Sequence, residues 1–458
     1  MLGCGLALGH VACAQSASPA VRASRAPEVE SGRDEIAIDL RAAVGAPMES
    51  LTGFVQGFPA GAPPPRALTS PLRPRFWRMA GSPGAVLSAR QLGDATVTWI
   101  LSDPIESGAL PRPWTDWPAL ERYVQGAVAT NVAQGRPVTY WDLYNEPELN
   151  HLAASEAQML EIYRRENIAV RAADPEAKIV APSTSSFNER LISSYLRDTQ
   201  AHGLTIDALS WHEINDAPER LGAHVTRARE LLRAFGQCHT TGGQERCPEL
   251  HVNEYSNAAN HRIAGWAVGW LYHLHHARRL GLDWASRTCW TNADGVDDCL
   301  HGLDGLLTAS GAPTPLYWVY RAQAQMSGGE LLEARNSSPR LVALASRAPS
   351  GAVSLLVGRW SCGQTGQWCR EGVVQQQLED RPLAPVRVTI RLSPFERTAV
   401  VRMARIPART EAVLSALARP EPLGTSTIEP EAGELTISIP AFEDGDAFEI
   451  IVEPRRDR

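Results

Sequence analysis

The chain has 458 residues, with 44 Lys and Arg against 51 Asp and Glu, a formal net charge of -7, 44% hydrophobic and 21% charged residues. This length exceeds what one hydrophobic core usually supports, so a large domain with a smaller companion is expected of a globular chain. The acidic balance without a basic patch argues against a nucleic-acid partner, and no apolar run reaches the roughly 18–20 residues of a membrane span.

The first residues suggest export. Met1 to Val11 is small and apolar, and Ala12-Cys13-Ala14 resembles a signal-peptidase site ahead of a polar Gln-Ser-Ala-Ser-Pro tract. A basic n-region is missing, and lipid attachment at Cys13 is the lesser alternative because His10 stands where an aliphatic residue is wanted. Residues 1–31 are therefore assigned to a signal peptide and leader, and the protein to the periplasm or the exterior. Six of the eight cysteines fall in close pairs, Cys238 with Cys247, Cys289 with Cys299 and Cys362 with Cys369. Such pairing predicts three small disulfide loops formed in an oxidising compartment. None has C-x-x-C spacing, which makes a zinc site unexpected.

Glu35 to Leu40 alternates like a half-buried strand. Eight further strand signals follow at 50–56, 75–79, 96–101, 139–144, 178–181, 208–211, 250–253 and 287–290. Helical patterns separate them. Asp116 is the expected N-cap of a helix running to Gln134, and Ser155 caps another whose Met159, Ile162, Tyr163, Val170 and Ala173 share a face. Asp216 precedes a helix with Leu221, Val225, Leu232 and Phe235 on its apolar side; 261–280 and 315–326 supply two more. This alternation predicts a (β/α)₈ barrel over 32–328, with a stunted first helix in the Pro-rich link from Pro59 to Pro74. From 329 to 458 strand patterns alone recur, and Val386, Val388, Ile390 and Leu392 keep a clear two-residue period. That segment is expected to be an all-β sandwich, into which the strand within 35–45 should pair.

The run Tyr140-Trp141-Asp142-Leu143-Tyr144-Asn145-Glu146-Pro147-Glu148 is strand-like until Pro147, and it places an amide and a carboxyl at the strand's end. A second apolar run, Leu250-His251-Val252-Asn253-Glu254-Tyr255, ends in another carboxyl. Two carboxyls at the carboxyl ends of two barrel strands are what glycoside cleavage needs, one as proton donor and one as nucleophile. Asn-Glu-Pro ending strand four, with a Glu ending strand seven, resembles clan A retaining glycoside hydrolases. The Trp-Asp-Leu-Tyr-Asn-Glu-Pro-Glu run and trailing β module look most like glycoside hydrolase family 39, the β-xylosidase and α-L-iduronidase family.

The resemblance implies Glu146 as general acid/base, with its pKa raised, and Glu254 as nucleophile. It implies Asn145 on the sugar 2-hydroxyl, His212 against the sugar, Trp290 as an aromatic platform, and Arg78 on Glu254 or substrate. Where relatives often keep a Tyr two residues past that His, this chain has Ile214, with Tyr255 a candidate substitute; Glu213 is a rival carboxylate. No metal or cofactor is implied. His273, His275 and His276 lack the spacing of a helical metal pair and are expected on an ordinary helix surface. The expected substrate is an oligo- or polysaccharide, cleaved by a β-xylosidase-like exo-enzyme. Another clan A glycosidase (an arabinosidase, a galactosidase or an endo-acting hydrolase) and a non-catalytic carbohydrate-binding protein are the alternatives.

Overall fold

The computed structural model describes residues 34–45, 53–55, 58, 62–80, 83–93, 95–149, 154–214, 218–256, 263–289, 302–308, 310–359, 385–408 and 419–455. β1 (Asp34–Gly45) precedes a closed barrel and is not part of it. The barrel consists of β2 (Gly53–Val55), β3 (Phe76–Met79), β4 (Thr96–Ile100), β5 (Tyr140–Asp142), β6 (Lys178–Thr184) and β7 (Ala208–Glu213). A hairpin, β8 (His239–Thr241) and β9 (Gln244–Arg246), comes next, and β10 (Glu249–Tyr255) and β11 (Trp284–Arg287) complete the ring. Closure requires β11 to lie tight against β2. A Cβ on Gly53 would stand 2.3 Å from the Ala285 carbonyl oxygen, so only glycine fits at this seam.

Strand alternation sorts the side chains into an apolar wall and a graded interior. Val97, Trp99, Trp141, Ile179, Leu209, Trp211, Leu250 and Val252 join one hydrophobic cluster with the helices. Inside, Phe76, Tyr140, Val180 and Ala208 form an apolar plug, with Trp284 stacked on Phe76 at 5.1 Å. Nearer the carboxyl ends, Arg78, Asp142, Ser210 and Asn253 form a polar layer with no solvent exposure. The eighth strand therefore starts three residues before the expected 287–290, because Trp284 is needed in the plug; Trp290 lies outside the described residues.

The helices follow their local signals. Asp116 Oδ1 accepts from the Ala119 amide at 3.0 Å and caps Trp117–Ala133, while Ser155 and Gln158 form a capping box on Glu156–Ala173. Residues Met159, Ile162, Tyr163 and Val170 are buried as predicted, with Ala173 only partly covered. Leu221–Ala234 buries Leu221, Val225 and Leu232, and Phe235 just past its end is partly buried; Asp216 lies outside the described residues. The first βα link holds a single turn, Arg66–Thr69, and a 3₁₀ turn, as the prolines foretell.

The second sheet contains β1 with β12 (Glu330–Asn336), β13 (Leu341–Arg347), β14 (Val353–Arg359), β15 (Val386–Ser393), β16 (Ala399–Ile406), β17 (Glu421–Ile428), β18 (Leu435–Phe442) and β19 (Ala447–Pro454). β1 lies between β12, antiparallel, and β15, parallel. Its two register shifts after Asp39 bulge it, and residues from both ends of this one sheet share a single core, including Ile38, Leu355, Val401 and Ile437. The strand pattern is weakest in β12 and β17. Glu-Leu-Leu-Glu-Ala-Arg-Asn has a helix former's composition, and β17 is exposed along nearly its whole length, so neither carries a clean two-residue period.

The helix Ala264–Arg279 lies between barrel and sheet. A Cβ on Gly265 would stand 2.0 Å from the Arg359 carbonyl oxygen, and the Gly265 amide donates to the Gly445 carbonyl at 2.7 Å. Its histidines are not simply a helix surface: His276 is exposed, but His275 is buried and His273 partly so, because the sheet covers that flank. The Cys238–Cys247 disulfide closes the β8–β9 hairpin and Cys289 is also bridged; Cys299, Cys362 and Cys369 lie outside the described residues.

Candidate active site

Five of the seven residues singled out in the sequence converge where β3, β5, β7 and β10 end. Arg78, completely buried, donates from Nη1 to Glu254 Oε1 at 2.6 Å and from Nη2 to Asn145 Oδ1 at 2.8 Å. His212 Nδ1 lies 2.9 Å from Glu146 Oε1, and its Nε2 3.9 Å from Glu254 Oε1. One oxygen each of Glu146 and Glu254 and one ring nitrogen of His212 all fall within 4.8 Å of one another. The two glutamate side chains are 12% and 13% exposed, open enough to meet a ligand yet walled on the barrel side.

Backbone irregularities aim both carboxyls. A β-bulge between Val252 and Glu254 lets the consecutive residues Asn253 and Glu254 both turn inward, where regular alternation would send one outward. Glu146 adopts φ 45°, in the left-handed region, and its amide donates to the Ser183 carbonyl at 2.9 Å. A non-glycine residue in that region costs on the order of 1 kcal/mol, a strain often held at functional positions.

Apart from Arg78, the polar layer beneath was not singled out in the sequence. Asp142, fully buried, accepts from Arg78 Nε at 2.7 Å, Ser183 Oγ at 2.6 Å and Asn253 Nδ2 at 2.9 Å. The Ser102 hydroxyl oxygen accepts from the Asn145 amide at 3.1 Å, and Glu148 holds the β6 loop through the Ser185 amide at 2.6 Å. A charged residue inside the apolar Tyr140–Leu143 run, three positions before Asn145, was the available signal for Asp142.

Burial dominates the electrostatics. It pushes the His212 imidazole down to about 4; Glu254 counteracts this and Arg78 adds to it, so the ring is neutral at ordinary pH. For Arg78 burial opposes the charged form, but Asp142 and Glu254 outweigh it and the guanidinium is held charged more firmly than usual. Asp103, just after β4, is raised to about 6 by burial first and by Glu106 second, with Arg78 pulling the other way.

The remaining residues are placed elsewhere or not described. Tyr255 is fully buried, its hydroxyl 2.8 Å from that of Tyr320 and its ring packed against Trp270, so it faces the helical layer rather than Glu254. The contact to Glu254 comes from Arg78, as the first of its two expected roles, and not from Tyr255, the candidate substitute for the Tyr missing at Ile214. Glu213 also points into the wall, accepting from Trp211 Nε1 at 2.6 Å and lying 2.8 Å from His224 Nδ1. Ile214 is buried, and Trp290 lies outside the described residues.

No protein-family profile matches the chain, and neither does any curated protein. Solved structures do. N2152 from Neocallimastix frontalis superposes with a TM-score of 0.71 at 15% identity, over 93% of this chain and 100% of that one. A monomeric β-xylosidase from Caulobacter crescentus CB15 gives 0.61 at 16%, over 93% and 100%, and the GH39 enzyme from Xanthomonas axonopodis pv. citri gives 0.61 at 15%, over 94% and 100%. At such identities the likeness establishes the fold alone, here a closed eight-stranded barrel with an attached β sheet.

Proposed function

We propose that the protein is a retaining glycoside hydrolase that cleaves O-glycosidic bonds by double displacement. The approach of Glu146 and Glu254 oxygens to within 4.8 Å carries this reading. Inverting enzymes hold their carboxyls about 6.5–9.5 Å apart to admit a water, whereas retaining ones bring them to about 5–5.5 Å. In the first step Glu254 attacks the anomeric carbon while Glu146 protonates the departing oxygen. In the second, Glu146 takes a proton from water as that water opens the glycosyl ester. Asn145, fixed by Arg78 and Ser102, would present its amide nitrogen to the sugar 2-hydroxyl, and neutral His212 would hold Glu146 in line.

A β-xylosidase-like exo-enzyme is our first assignment, supported by the β-xylosidase and GH39 neighbours. A GH51 arabinofuranosidase and a glucosidase of the same fold favour keeping a second sugar class open. Export is part of the proposal, supported by the Cys238–Cys247 bond, which forms in oxidising compartments. The test is a panel of aryl glycosides with NMR of the first-formed anomer. Hydrolysis with retained configuration, abolished in Glu254→Gln, is expected; substantial turnover by that variant overturns the nucleophile assignment.

A further inference from the structure

Below the two glutamates lies an ion pair that double displacement does not itself require. Arg78 and Asp142 are both wholly buried and joined at 2.7 Å, and the same guanidinium reaches Glu254 at 2.6 Å. One positive charge therefore serves two carboxylates. Ser183 and Asn253 hold Asp142 from its other sides, which fixes the plane of Arg78.

We propose that Asp142 is a positioning residue that keeps Glu254 nucleophilic by dividing the charge of Arg78. This inference rests on the glycosidase reading above. A carboxylate under an undivided guanidinium would be held in place but would lose charge density toward the anomeric carbon. With Asp142 the buried group carries a net charge of minus one throughout the reaction. At the start Glu254 and Asp142 are charged and Glu146 holds its proton. As the Glu254–carbon bond forms and the glycosidic bond breaks, the Glu146 proton leaves with the aglycone oxygen and the negative charge moves to Glu146. When water displaces Glu254, its proton returns to Glu146 and the charge to Glu254. That total is constant with or without Asp142; what Asp142 changes is the share of the guanidinium's field that falls on Glu254.

Among the described residues, the other ionisable groups acting on this cluster are Glu146 itself, Asp103 after β4, Glu166 from Glu156–Ala173, His212 on β7, Asp304 after β11, and the buried Tyr163 and Tyr195. All of them persist in an Asp142→Asn variant. That variant keeps the shape and an acceptor for Arg78 but removes the charge. On an aryl glycoside turned over by the wild type, kcat should fall on the order of 100-fold with KM little changed. The acidic limb of the pH profile should move to lower pH by on the order of one unit, since the ionised nucleophile is then more strongly favoured. A lower rate with an unmoved limb, or an unchanged rate, overturns the proposal. Asn253→Asp, which adds a charge beside Asp142, carries the opposite expectation: its acidic limb moves to higher pH, and an unmoved limb there also overturns the proposal should Asp142→Asn not fold. A wild type inactive on the whole panel overturns the glycosidase reading and this inference with it; an active wild type with unmoved limbs overturns this inference alone.

Discussion

Replacing His275 with Phe isolates one proton-linked contribution to stability. The residue sits on Ala264–Arg279 beside a cavity of about 230 Å³ between helix and sheet, its Nδ1 without a hydrogen-bond partner among the described residues. Burial pushes its pKa down to about 4. In the unfolded chain the imidazole titrates near 6.5. As pH falls through 6.5 the unfolded state binds a proton that the folded state refuses until about 4. Stability from this site is thus complete above about pH 6.5 and declines as pH falls toward 4. The linkage relation gives a loss of about 2 kcal/mol at pH 5, approaching about 3 kcal/mol below pH 4. Phe fills a similar shape and binds no proton. Urea unfolding of both proteins at pH 5.0 and 7.5 should therefore shift in favour of His275→Phe by about 2 kcal/mol at the lower pH. Every other titrating group cancels in that difference. An offset that is the same at both pH values would refute the assignment of His275 as a buried neutral histidine.

Other outcomes follow from the same contacts. His212→Ala removes the ring at 2.9 Å from Glu146, and kcat should fall about 100-fold for glycosides with poor leaving groups but far less for dinitrophenyl glycosides, which need no proton. In Glu146→Ala, azide should restore turnover of dinitrophenyl glycosides and yield a glycosyl azide with retained configuration; no rescue would count against the acid/base role. Asn145→Ala leaves Arg78 Nη2 without its 2.8 Å acceptor, and should cost about 1–3 kcal/mol of stability by urea unfolding besides weakening catalysis. Gly265→Ala would drive a methyl into the Arg359 carbonyl, with a loss of about 3 kcal/mol or more expected in the same assay.

Sequence by itself determined the elements whose cause is local. Asp116 and Ser155 announce their helices because a side-chain acceptor three residues ahead of a free amide is a short-range fact. Tyr140 to Glu148 and Leu250 to Tyr255 disclose a strand and its terminal carboxyl in the same way, and barrel topology then brings Glu146 and Glu254 to one mouth. Tertiary structure alone decided what depends on which way a side chain turns. The bulge at Asn253 sends Glu254 inward, and Tyr255, one residue later, goes out to Tyr320. Asp142 gains its partners from β3, β6 and β10, strands separated by up to 111 residues from it, so no window along the chain contains them. Trp284 is drawn into the barrel by Phe76, which moved the eighth strand. Periodicity records that a residue is apolar or polar, whereas packing across the barrel fixes the partner it meets.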